Sequence, residues 1–239
     1  MMAESASGIS SPRARSCQLF SSALLLVLLL PSLPLRADEF HTTEHYRVRM
    51  FSYGTFTLNT RMGDIEIEGW NNPHLAIEAE KDVQARSQKK AERLYSRVRV
   101  EIQGQDHNIF LRTIYPRRRP WRPFRDESKI SVNFTIHMPY DANVRLKCVD
   151  GDVTVSGLTG KEVLDVNYGD VEIDVPNVYR LRLLDARTWL GYVESDLHGM
   201  PDDAAGFGKT VSFNNLMGTQ VIIVHVRMGG VFVYGDDDY

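Results

Sequence analysis

The chain has 239 residues, of which 28 are basic and 31 acidic, a formal net charge of -3. Residues 1–37 hold three Arg and one Glu, so the remainder carries 25 basic against 30 acidic residues, a balance that argues against a dedicated nucleic-acid binder. Two cysteines, Cys17 and Cys148, leave one thiol after residue 37, which excludes an internal disulfide framework.

Residues 1–37 read as a secretory signal. Arg13 and Arg15 form a basic start, Ala23 to Leu30 an apolar core, and the segment ends at the small residue Ala37. The apolar run is short of the ~20 residues that span a bilayer, although an uncleaved anchor is the alternative. Cys17 lies before that run rather than after it, so lipidation is rejected. Residues 38–239 are expected as one all-β domain, exported to the periplasm or the cell surface, with no further span of transmembrane length.

From Tyr46 the pattern is alternation, the mark of strands with one wet face. It runs through Tyr46, Val48 and Met50; then Leu75, Ile77 and Ala79; then Val98, Val100 and Ile102; and longest through Ile130, Val132, Phe134, Ile136 and Met138. Residues 82–95 alone look helical, with Ala91, Leu94, Tyr95 and Val98 at helical spacing, which predicts one short helix near 83–95. Residues 46–141 thus read as a β half with this helix and a basic loop.

A template that first appears at 62–69 recurs through residues 142–239. MGDIEIEG (62–69), DGDVTVSG (150–157) and YGDVEIDV (168–175) share Gly, Asp, branched apolar, polar, branched apolar, and LGYVESDL (190–197) and MGGVFVYG (228–235) are looser copies. Gly permits a corner of positive φ, Asp bonds nearby backbone, and the alternation after them makes a short strand. Such a strand buries its apolar side only when copies stack, which predicts a solenoid-like or roll-like array, with a β-sandwich as the alternative. The 38 residues from Gly191 to Gly229 leave room for two more units, with LMGTQVIIV (216–224) as the marker between them.

This set of motifs, preceded by EIEGW (66–70) and a long strand ending in Met138-Pro139, resembles the DUF4097 family over residues 55–235. The resemblance implies an all-β domain of coil-stacking kind in envelope or surface proteins, often labelled adhesin-like and usually without a known catalytic residue. The departures are Tyr192 and Gly230, which stand where the template has Asp.

Four segments invite chemistry. His41, Glu44 and His45 match the H-x-x-E-H zinc pattern, but in a strand the two His stand ~13 Å apart, beyond one shared ion. Asp64, Asp152 and Asp170 at the Gly corners suggest calcium, yet one Asp per ~20 residues fits turn capping better. The run Asp236 to Asp238 reads as a solvated tail. The best recognition candidate is PRRRPWRPFRDE (116–127): Arg117, Arg118, Arg119, Arg122 and Arg125 with Trp121 and Phe124, suited to an anionic glycan, a lipid headgroup or an acidic envelope protein. The bland reading of that segment is a solvated loop. Cys148 reads as a buried apolar residue. Asn133-Phe134-Thr135 matches a glycosylation sequon by chance, with Asn133 on the wet side.

No metal site, cofactor or catalytic set is expected. The chain reads as an exported, non-enzymatic envelope protein of adhesin-like type. The rivals are a carbohydrate-active enzyme on a β-coil scaffold, with Asp150, Asp152 and Asp170 as its only nucleus, and a regulatory partner in envelope-stress signalling.

Overall fold

The computed structural model describes residues 38–115, 130–197 and 203–235, with the side chains of 203–206 left aside. The predicted signal, the basic segment 116–127 and the acidic tail lie outside these residues. The protein is all-β: among the described residues thirteen strands form one hydrogen-bonded network. In chain order the elements are β1 (Asp38–Asn59), β2 (Ile65–Trp70), β3 (His74–Ala85), the helix α1 (Gln88–Tyr95), β4 (Arg99–Ile114) and β5 (Ile130–Pro139). There follow β6 (Asn143–Asp150), β7 (Val153–Ser156), β8 (Lys161–Tyr168), β9 (Val171–Val175), β10 (Leu181–Ser195), β11 (Asp203–Asn214), β12 (Gln220–Met228) and β13 (Val231–Gly235).

The repeats are rungs. Each runs along one strand, turns at a Gly, and continues as a second strand in another sheet. In the first sheet β1, β6, β8, β12 and β10 pair in parallel, and in the second β2, β7, β9, β13 and the end of β10 do the same. The register aligns the inward residues in rows. Ile67, Val155, Ile173 and Val233 form one row, and Leu58, Leu146, Leu164, Val224 and Ala186 another. All nine are buried in one core cluster. Burying such a side chain contributes about 1.5–3 kcal/mol, and a single rung could bury none of them alone.

The corners explain the Gly. Gly151, Gly169 and Gly229 have φ of 150°, 130° and 145°, where L side chains are strained. Their backbones also touch from rung to rung. A Cβ on Gly151 would meet the Gly63 carbonyl oxygen at 2.1 Å, and one on Gly169 would meet that of Gly151 at 2.2 Å.

The Asp of the template binds across rungs rather than capping its own turn, which corrects the expectation. Asp152 Oδ1 accepts the Asp170 N–H at 2.8 Å, Asp64 Oδ1 accepts the Asp152 N–H at 3.0 Å, and Asp170 Oδ1 accepts the Gly230 N–H at 2.6 Å. Asn133 Oδ1 begins the ladder by accepting the Asp64 N–H. Gly230 needs only its N–H to end the chain of acceptors, which accounts for one departure from the template.

Rung order departs from chain order. The corner carbonyls stack Gly63, Gly151, Gly169, Gly229, Gly191, so the last rung in sequence inserts before the one that precedes it. A solenoid whose rungs follow the chain is therefore not what forms. The stretch between Gly191 and Gly229 does not supply two extra units either. It holds β11, which returns antiparallel along β10, and then β12.

The other region is antiparallel, with β3 between β1 and β5. The helix is shorter than predicted because alternation persists through Lys81, Val83 and Ala85, all inward and buried, so β3 runs to Ala85. Only then does α1 begin. It lays Ala91, Leu94 and Tyr95 on Val83, Ala85 and Phe40 as a small separate cluster. Among the described residues no helix is long and apolar enough to cross a membrane.

Candidate functional surface

The outward residues of β1, β3, β5 and β2 form a face dense in imidazole and carboxylate. Strand register sets His41 opposite Asp82, His45 opposite Glu78, and His137 opposite Glu68. Each pair is in contact: His41 Nδ1 lies 2.5 Å from Asp82 and 3.7 Å from Glu80, His45 Nδ1 lies 3.7 Å from Glu78, and His137 Nδ1 lies 3.0 Å from Glu68. The hydrogen bond to Asp82 raises the His41 pKa above its ordinary value, more than its slight desolvation lowers it. Trp70 stacks on His137 with ring centroids 5.3 Å apart, and donates its indole N–H to the His74 carbonyl.

The H-x-x-E-H segment is strand, as expected, and its members part company. His41 and His45 face outward, while Glu44 turns to the opposite face and accepts from Lys81 Nζ and, at 2.6 Å, from the Tyr46 hydroxyl. Desolvation pushes the Glu44 carboxyl up, but these two donors outweigh it and the net shift is downward. Burial, reinforced by the bond to Glu44, pushes the Tyr46 hydroxyl up to about 12.

The same outer surface continues across β7, β9 and β13. Here the register sets Phe232 between Glu172 of β9 and Glu194 of β10, and Tyr234 beside Asp174. Phe232 meets Tyr192 edge-on at 5.2 Å and stacks on Tyr234 at 6.4 Å. Three aromatic rings thus form a row on a rigid sheet with carboxylates on either side. Burial, then the charges of Glu194 and Glu172, raise the Tyr234 pKa. An aromatic face binds apolar ring faces, and adjoining carboxylates accept from hydroxyl or ammonium groups.

Two groups lie in the core. Cys148 is buried, as predicted, its thiol pushed up to about 11 by desolvation, and it packs in the main cluster. Glu162 was not singled out by sequence reasoning. It occupies an inward row between Val144 and Ile222, fully buried, and desolvation pushes its carboxyl up to about 8. Gln220 Nε2 donates to Glu162 Oε1 at 2.9 Å and to the Leu158 carbonyl. The alternation of Glu162, Leu164 and Val166 in KEVLDV was the available signal.

Of the residues predicted to bind or react, Arg117, Arg118, Arg119, Trp121, Arg122, Phe124 and Arg125 lie outside the described residues, as does Asp236 to Asp238. Asp64, Asp152 and Asp170 are brought together, but as the hydrogen-bond ladder. Asn133 is half-buried rather than simply wet, and donates to Asp82 at 2.7 Å.

No family model matches the sequence, and no curated protein matches it either. Resemblance to the DUF4097 family therefore rests on the motifs alone. Among solved structures, the chain is similar to a proposed cell adhesion protein from Clostridium sporogenes, with a TM-score of 0.52 at 10% identity over 82% of this chain and 100% of that one. A proposed adhesin from Bacteroides fragilis aligns over 82% of this chain and 98% of its own at 11% identity, but its TM-score of 0.24 is too low to carry an argument. The likeness to the clostridial protein is one of fold alone.

Proposed function

We propose that this chain is an exported, non-enzymatic binding module of adhesin-like type, acting in the periplasm or at the cell surface, whose ligand is a glycan. The observation that carries the reading is the row Tyr192, Phe232 and Tyr234 flanked by Glu172, Asp174 and Glu194 on an open sheet face. Rings of this kind stack on pyranose faces while the carboxylates accept from sugar hydroxyls. An open face suits a polymer running across strands better than a small molecule enclosed on all sides. The basic segment with Arg117, Arg118, Arg119, Trp121, Arg122, Phe124 and Arg125 would add contacts to anionic groups of a glycan, lipid headgroup or envelope protein.

The ladder bears on the enzymatic rival. Asp152 and Asp170 each commit an oxygen to a backbone N–H of the next rung, a structural role that competes with general acid or base work.

The test is a glycan array and a liposome panel probed with the wild type, with Phe232→Ala and Tyr234→Ala, and with Arg117, Arg118 and Arg119 all changed to Ala. The aromatic variants should lose at least about tenfold in glycan affinity, the scale of one buried aromatic contact. The triple Arg variant should lose preference for anionic members. Equal glycan binding by Phe232→Ala, Tyr234→Ala and wild type, or turnover of any polymer, overturns the reading.

A further inference from the structure

The histidine–carboxylate face holds a group that neither the motif pattern nor the adhesin-like reading uses. His41 Nδ1, a Glu80 carboxylate oxygen and an Asp82 carboxylate oxygen all lie within 4.8 Å of one another. Among the described residues no other three His, Cys, Asp or Glu side chains meet that spacing. We propose that His41, Glu80 and Asp82 form a binding site for a divalent transition-metal ion of the zinc class.

Strand geometry builds the site. His41 and Asp82 are direct partners in the antiparallel register of β1 and β3. Glu80 lies two residues from Asp82 on the same strand and therefore on the same face. A four-coordinate ion with bonds of ~2.1 Å holds its ligands ~3.4 Å apart. His41 and Glu80 are already 3.7 Å apart. His41 and Asp82, at 2.5 Å, share a proton in a hydrogen bond, and an ion that displaces the proton requires them to separate by about 1 Å.

Asp82 is oriented for the task. Its second oxygen accepts from Asn133 Nδ2 at 2.7 Å, while Asn133 is itself fixed by accepting the Asp64 N–H. That is the outer-shell support a ligating carboxylate needs. The site is open to an arriving ion, since the His41 and Glu80 side chains are 52% and 47% exposed and Asp82 is 16% exposed. The cation nearest in sequence, Lys81, turns inward to Glu44 and does not compete. An imidazole with two carboxylates favours zinc, cobalt or nickel over calcium or magnesium, which prefer all-oxygen sets.

The test is calorimetric titration of the full, tag-free chain with Zn²⁺, and visible absorption with Co²⁺ as a spectroscopic probe. Wild type should bind one ion per chain, with a Co²⁺ band in the visible. His41→Ala, Glu80→Gln and Asp82→Asn should each weaken Zn²⁺ binding at least tenfold. Asn133→Ala should weaken it about tenfold through loss of orientation. His45→Ala, on the same face but outside the group, should leave it unchanged. His41 and Glu80 are half-exposed, so their variants keep the core, and the unfolding midpoint without metal should match wild type. No Zn²⁺ binding by wild type, or equal affinity in His41→Ala, overturns the site, and neither result bears on glycan binding.

Discussion

In the parallel rungs, neighbours meet through the backbone at the corners, and in the β1–β3–β5 region they meet through side chains on both faces. The rungs need Gly where a carbonyl of the neighbouring rung presses within 2.0–2.2 Å of a would-be Cβ, and Asp where the next amide needs an acceptor. Those demands fall on fixed positions and repeat with each rung. The antiparallel region instead relies on pairs such as Lys81 with Glu44 and Asn133 with Asp82, each specified once. A fold held by backbone contact tolerates almost any ligand-binding decoration on its outer face. One held by side-chain pairs couples its surface chemistry to its stability.

The sharpest way to break this contrast is at a corner. Gly169→Val places a branched side chain at a φ of 130° against the Gly151 carbonyl, and should cost about 4 kcal/mol in urea unfolding. Gly208 has a φ of 61° but nothing within 4 Å of its would-be Cβ. Gly208→Ala should therefore cost only the backbone strain, about 1 kcal/mol. Equal costs at the two positions would mean that positive φ alone, and not contact between rungs, selects Gly in the corners.

The two regions were also unequally legible. The rungs announced themselves as Gly-Asp repeats because a backbone requirement recurs at the same place in each copy. Their stacking order was hidden, since Gly229 and Gly191 carry the same local signal and only long-range pairing decides which lies beside Gly169. The helix boundary is not legible locally, because Lys81 to Ala85 satisfies both a polar helical face and an alternating strand, and burial of Val83 and Ala85 against Phe40 decides for the strand. In sequence His41 stands with Glu44 and His45. Its partners Glu80 and Asp82 lie about 40 positions away, and no local pattern links them. The aromatic row was equally scattered, with Tyr192 joining Phe232 and Tyr234 only through the inverted rung order.

Glu162 sharpens the comparison from inside the core, because a rung can carry a charge-bearing residue where its row should be aliphatic. Folding raises its pKa from the ordinary carboxyl value of 4.5 to about 8. Below pH 4.5 both states hold the proton and the group has no effect. Between pH 4.5 and 8 the unfolded chain releases its proton while the folded one keeps it, so stability falls as pH rises, and it levels off above 8. Glu162→Gln keeps the acceptor for Gln220 Nε2 and removes the titration. It should be near neutral at pH 4 and stabilise by about 4–5 kcal/mol at pH 9, read from urea midpoints across pH. A wild-type stability profile as flat as that of the variant would mean that Glu162 is solvated.

The smallest effect tests the ladder itself. Asp152 gives its Oδ1 to the Asp170 N–H, and its loss leaves that amide to water at an exposed corner. Asp152→Ala should cost about 1 kcal/mol, the net worth of one hydrogen bond. Asp152→Asn retains an oxygen acceptor in the same place and should cost about half as much or less. Hydrogen exchange adds a local readout, since the Asp170 amide should lose protection in the Ala variant and keep it in the Asn variant. If the two variants exchange alike at Asp170, the carboxylate serves charge rather than hydrogen bonding. The recurrence of Asp over Asn would then reflect its charge, not a chain of acceptors running from Asn133 to Gly230.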